Sequence, residues 1–140
     1  MKKMWLVPVD ESERSMDAIE FAVELALETE SMIELLNVQP KVHTHYAQRK
    51  IGLKTLQAFK NDAAQAVFKK GLAKINHRVD VIVKMRHGIP ADEVCREAAE
   101  LQAKGIILAP RKKKRKIGSV SQQIIQQASC PVILIPPATE

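Results

Sequence analysis

Two short segments, far apart in the chain, hold the residue types that can grip a phosphate. The first is Ala109-Pro-Arg-Lys-Lys-Lys-Arg-Lys-Ile-Gly-Ser-Val120. It follows the apolar run Ile106–Leu108 and leads into a helical pattern. A helix start reached from a strand suits an anion, because unbonded N–H groups and the positive end of the helix dipole both face it. Gly118 and Ser119 stand at that start, and six consecutive cations, Arg111 to Lys116, fill the loop before it. The second segment is Pro8-Val-Asp-Glu-Ser12. Asp10 there can accept hydrogen bonds from a ribose or an adenine amine. Equally, Asp10 or Ser12 can cap the helix that follows, and the two roles are compatible.

Both segments need a scaffold that brings them together, and the hydrophobic pattern supplies one. Apolar runs recur at Met4–Val9, Met32–Val38, Val79–Met85, Ile106–Ala109 and Val132–Ile135. They are nearly continuous, as strands buried on both faces are. Between them lie stripes at three-and-four spacing: Met16, Ile19, Val23, Ala26 and Leu27; Leu53, Leu56, Ala63 and Val67; Ala91, Val94, Ala98 and Leu101; and Val120, Ile124 and Ala128. Strands alternating with helices predict an α/β fold, a parallel sheet with helices on both faces, in one domain spanning 1–140. In such a sheet ligands bind beyond the carboxyl ends of the strands, where the strand order reverses. If the first and fourth strands flank that reversal, the two segments meet in one crevice. The segment from Gln39 to Lys50 reads as a polar loop, and Pro136-Pro137 ends the last strand.

Charge and composition exclude several alternatives. The chain has 140 residues, 46% hydrophobic and 27% charged, which is the balance of a globular domain. Its net charge of +6 equals the six cations of the loop, so the remainder is neutral and the basicity is local. With aromatic content at 4% and none beside the basic run to stack on bases, nucleic acid is not the expected partner. No apolar run approaches the ~20 residues of a membrane span. The N-terminal Met1–Val9 reads as a first strand rather than a signal peptide, since Asp10 and Glu11 end it at once. Cys95 and Cys130 lack metal or redox spacing, which points to a reducing, cytoplasmic setting. His43 and His45 are too few to hold a metal, and no metal site is expected. No base is spaced to activate either cysteine, and Ser12, Ser119 and Ser121 lack a nucleophile elbow, so no catalytic residue is expected. Val132 to Ile135 would form an uncharged edge strand, a surface that invites pairing with its own copy and hence a homodimer.

Five motifs in order carry a resemblance: Leu6-Val-Pro-Val-Asp10 with Ser12, Leu35-Leu-Asn-Val38, His87-Gly-Ile-Pro90, Gly118-Ser-Val120, and Ser129-Cys-Pro-Val-Ile-Leu-Ile135. Together they resemble the universal stress protein family, essentially end to end. The resemblance implies a five-stranded parallel sheet in the order 3-2-1-4-5, of the adenine nucleotide alpha hydrolase-like type. It also implies dimerisation through the last strand and a stress-linked regulatory role without a fixed catalytic activity. Nucleotide-binding members of the family wrap phosphates in a glycine-rich loop. By that resemblance Pro8, Val9 and Asp10, with Val38, belong to the adenine and ribose side, and Gly118, Ser119 and Val120 to the phosphate end; Ser12, Ala109 and Arg111 are further candidate ligand contacts.

The chain departs from the family loop. Ala109 falls where its first glycine belongs, the loop is shorter, and Glu11 replaces the small residue that usually follows the aspartate. Losing two charge-assisted hydrogen bonds costs at least roughly 3 kcal/mol, or more than about a hundredfold in affinity. Arg111 and its neighbours offset this only through attraction that salt screens. The expected ligand is therefore an adenine nucleotide, ATP or AMP, or another small phosphate anion. The alternative is a dimeric protein-interaction module that binds no nucleotide. A weak ATP hydrolase ranks last, with Glu11 the one extra carboxylate near the site.

Overall fold

The computed structural model describes residues 3–41, 53–110 and 117–137, with the backbone alone for 53–61. Its elements are β1 (Met4–Pro8), α1 (Arg14–Thr29), β2 (Met32–Gln39), α2 (Leu53–Ile75), β3 (Val81–His87), α3 (Pro90–Leu101), β4 (Gly105–Leu108), α4 (Ser119–Gln127) and β5 (Val132–Leu134). All strand pairs are parallel, and the sheet order is β3-β2-β1-β4-β5. This is the order the resemblance implied. It places β1 beside β4 at the reversal, with the register Trp5 to Gly105 and Leu6 to Ile106.

Strand alternation divides the core between the two faces. Trp5, Val7, Ile33, Leu35 and Ile107 turn to the side covered by α1 and α2, against Ile19, Val23, Val67 and Phe68. Leu6, Leu36, Ile106 and Leu108 turn to the other side, against Ala91, Val94 and Ala98 of α3 and Ile124 of α4. Three stripe positions differ from expectation. Leu27 is exposed on α1, on α2 the buried alanine is Ala64 rather than Ala63, and Val120 is exposed on α4. Gly105 lies inside β4, where a Cβ would come within 2.8 Å of the Trp5 ring and 3.0 Å of the Pro131 carbonyl oxygen. Its role is close packing of β1 against β4 rather than contact with a ligand.

The third strand runs past its expected end, from Val81 to His87, although Lys84 and Arg86 interrupt the apolar pattern. Their cations are neutralised from α3. Lys84 pairs with Glu97 at 2.9 Å, and Arg86 reaches Glu93 at 2.9 Å, Glu97 at 2.6 Å and Glu100 at 3.2 Å. At the strand's end Gly88 adopts φ 150°, where a Cβ would press to 2.9 Å from Glu93 Oε2. Glycine is therefore required at the turn that delivers Pro90 to the first position of α3.

Candidate functional site

The chain leaving β1 is built around Asp10. The backbone N–H of Val9 donates to the Leu36 carbonyl at 2.8 Å, continuing the strand pairing for one residue past Pro8. The Val9 carbonyl accepts from the side-chain amide of Asn37 at 2.8 Å, and Asn37 is itself buried in β2. Asp10 Oδ1 then accepts from the Ser12 N–H at 2.8 Å and from the Ser15 hydroxyl at 3.1 Å. The Asp10 N–H donates to Ser15 Oγ at 2.9 Å. Asp10 thus organises the turn ahead of α1 instead of capping the helix itself, whose cap position, Glu13, makes no side-chain capping bond. The turn holds the exposed Asp10 at the carboxyl end of the sheet.

The opposite wall comes from β4 and α4. Ala109 and Pro110 continue β4, while Gly118 caps α4 in extended geometry, φ −62° and ψ 159°. Among the described residues a Cβ on Gly118 would meet nothing within 4 Å, so the helix start is open there and neither space nor strain demands a glycine. The first turn of α4 contains no acidic residue. Its N–H groups have no acceptor within the helix and an electropositive character, the arrangement that receives anions.

Between the walls lies a cleft of about 370 Å³. It is lined by Pro8, Val9, Asp10, Ser12, Val38, Ala109, Gly118, Ser119 and Val120, which is every candidate residue that falls among the described ones. Arg111 lies outside the described residues, as do the rest of the basic run and His43 and His45. Ser15, Ala18, Leu36, Pro90, Val94, Leu108, Pro110, Ser121 and Ile124 complete the lining and escaped the sequence reading. Ser15 could have been found one helical step beyond Ser12, whereas Ser121, two residues after Ser119, carried no such signal. Pro90 sits in a motif already quoted, but nothing in its type suggested a cleft wall. Glu11 is exposed and does not line the cleft. Among the described lining residues the one charged side chain is Asp10, so the walls offer hydroxyls, a helix start and apolar surface to a ligand.

Other reactive groups lie elsewhere. Cys95 and Cys130 are free and half-buried, and burial pushes both thiols up, which keeps them protonated and weakly nucleophilic. No group of three metal-binding side chains occurs among the described residues. Beneath α3, Glu34 of β2 and Glu97 are each 1% exposed and share a hydrogen bond. Burial, followed by Glu97, pushes the Glu34 carboxyl up to about 8. Burial works to raise Glu97 as well, but hydrogen bonds from Glu34, Lys84 and Arg86 prevail and lower it to about 2. Glu34 therefore carries the proton of the pair. This cluster stands behind the cleft, because α3 contributes Pro90 and Val94 to the lining and Arg86 pairs in register with Val38.

Comparison with known proteins agrees with this geometry. A family model described as the Universal stress protein family matches residues 1–136. The universal stress protein YxiE of Bacillus subtilis is 28% identical, the match covering 93% of this chain and 96% of that protein. Among solved structures, a universal stress protein from Archaeoglobus fulgidus superposes with TM-score 0.78 at 22% identity, over 96% of this chain and 94% of that one. A universal stress protein of the same organism in complex with dAMP superposes with TM-score 0.74 at 17% identity, over 96% of this chain and 98% of that one. No helix among the described residues is long and apolar enough to cross a membrane. Matched along nearly its whole length in sequence and in strand order, the chain belongs to the universal stress protein family.

Proposed function

We propose that this chain is a non-enzymatic stress-response regulator of the cytoplasm whose cleft takes an adenine nucleotide, AMP or ATP, or a smaller phosphate anion. The observation that carries the reading is convergence. Pro8, Val9, Asp10, Ser12 and Val38 on one side and Ala109, Gly118, Ser119 and Val120 on the other line a single cleft at the β1–β4 reversal. Its volume is within the range of about 300–1,000 Å³ usual for small-molecule sites. The dAMP complex of the Archaeoglobus relative, which shares the fold, supports the choice of ligand class. On this reading Asp10 and the Val38 side hold the nucleoside, and the first turn of α4 holds the phosphate. The edge strand β5 pairs with its copy in a homodimer, a reading supported by β4 being its one sheet partner among the described residues.

Isothermal titration with AMP, ATP and pyrophosphate, alongside thermal melting, tests the reading. Saturable heat and a raised melting temperature are expected with both nucleotides, because ligand bound to the folded state stabilises it. No heat and no protection at millimolar ligand would defeat it. That negative result would favour a dimeric interaction module without a ligand, a reading supported by Asp10 being the sole charged side chain on the described walls.

A further inference from the structure

Arg14 opens α1 and does not line the cleft, yet all three of its functional nitrogens are engaged beside it. Nε donates to the Pro110 carbonyl at 3.1 Å, Nη2 to the Ile135 carbonyl at 2.5 Å, and Nη1 to Asp17 Oδ2 at 2.6 Å. The side chain is 15% exposed. Pro110 is part of the cleft wall, and Ile135 is itself fixed to β4, its N–H donating to the Leu108 carbonyl at 2.8 Å. The next residue, Ser15, holds the other wall through its bonds with Asp10. Two consecutive residues at the start of one helix therefore grip opposite sides of the cleft.

Resting on the nucleotide reading above, we infer that Arg14 is a positioning residue: it sets the width of the cleft by pinning the β4 wall to α1, and so places the phosphate-receiving turn of α4 against the nucleoside side. A guanidinium suits this work, since its planar fork reaches two carbonyls and a carboxylate at once, which the single ammonium of lysine does not reproduce. Each of its three nitrogens is bonded to the protein and it does not line the cleft, so it acts on the ligand through Pro110. Pro110 lines the same cleft as Gly118 and Ser119, whereas Val9 and Val38 are fixed by the sheet independently of Arg14. Its removal should weaken a phosphate far more than a nucleoside.

Titration of AMP and adenosine into the wild type, Arg14→Ala, Arg14→Lys and Asp17→Asn separates these effects. Arg14→Ala is expected to weaken AMP about tenfold, the scale of one charged hydrogen bond, and adenosine less than about twofold. Arg14→Lys should recover part of the AMP loss. Asp17→Asn, which spares both carbonyl contacts, should stay within about twofold of wild type for both ligands. If Arg14→Ala does not fold, Arg14→Gln, which keeps two methylenes of the stem and is too short to span both carbonyls, replaces it with the same expectation. Equal losses for AMP and adenosine, or an unchanged AMP affinity, would overturn the positioning role. A wild type that binds neither ligand would overturn the nucleotide reading itself, and this inference with it.

Discussion

Replacing Arg86 by methionine should destabilise the fold by about 3 kcal/mol, the lower end of the cost of breaking a buried ion pair. Arg86 bonds Glu93, Glu97 and Glu100, and its side chain is 15% exposed. Burial opposes its charge, but Glu93 first and then Glu97 and Glu100 raise its affinity for the proton above the ordinary arginine range. Methionine keeps the apolar stem and removes every donor. Glu97, 1% exposed, would retain the Lys84 ammonium at 2.9 Å, and Glu93 would retain Arg96 at 2.7 Å, which is why the upper end of the range is not expected. Since α3 supplies Pro90 and Val94 to the cleft, its loosened seat should also weaken any ligand held there. A shift in the urea midpoint at unchanged slope measures the loss. A change below about 1 kcal/mol would mean that the network acts as an ordinary surface cluster.

The acid pair behind the cleft should make stability fall as pH rises. The Glu34 carboxyl is raised from an ordinary glutamate value to about 8 by burial and by Glu97. The folded state thus holds a proton that the unfolded chain releases near 4.5. By linkage, the stability this group contributes is complete below about 4.5 and lost as pH climbs through about 8. Glu97, lowered to about 2, has the opposite sign: its contribution is present above about 4.5 and lost as pH falls through about 2. The groups facing the pair are Lys84 and Arg86 from β3, which favour ionisation of both carboxyls without cancelling the effect of burial on Glu34. Glu34 Oε1 has no hydrogen-bond partner among the described residues, so ionisation would leave a charge poorly compensated there. Glu34→Gln supplies a donor to Glu97 that does not titrate. Relative to wild type, its melting temperature should rise between pH 5 and 8.5, by roughly 5 °C at the alkaline end. Parallel melting curves for the two proteins across that window would show that Glu34 does not hold the proton.

How legible this molecule was in its sequence depended on which physical signal each part carried. The strand runs are apolar because both faces of the sheet are covered, so β1, β2, β4 and β5 were readable to within a residue or two. The end of β3 was not, because Lys84 and Arg86 look like solvent-facing residues until the acids of α3, the next element, fold back and neutralise them. Helix ends were hidden for a related reason. Glu30 and Gln102 take the left-handed conformation at φ 52° that glycine usually marks, so no glycine announced them. The cleft was found from Asp10, Gly118 and Ser119, whose types carry chemistry, while Leu36, Val94 and Ile124 line it as ordinary core residues. Arg14 escaped notice because its partners are backbone carbonyls, which no side-chain pattern reveals. Glu34 was hidden inside an apolar run, where one acid reads as a polar interruption rather than half of a buried pair.

Following backbone amide shifts by NMR during titration with AMP tests the cleft most directly. Saturating shifts should concentrate on Val9, Asp10, Val38, Ala109, Gly118, Ser119 and Val120, with the far ends of the strands unmoved. Shifts spread over the lysine-bearing surface, or a spectrum that AMP leaves unchanged at millimolar concentration, would contradict nucleotide binding between β1 and β4.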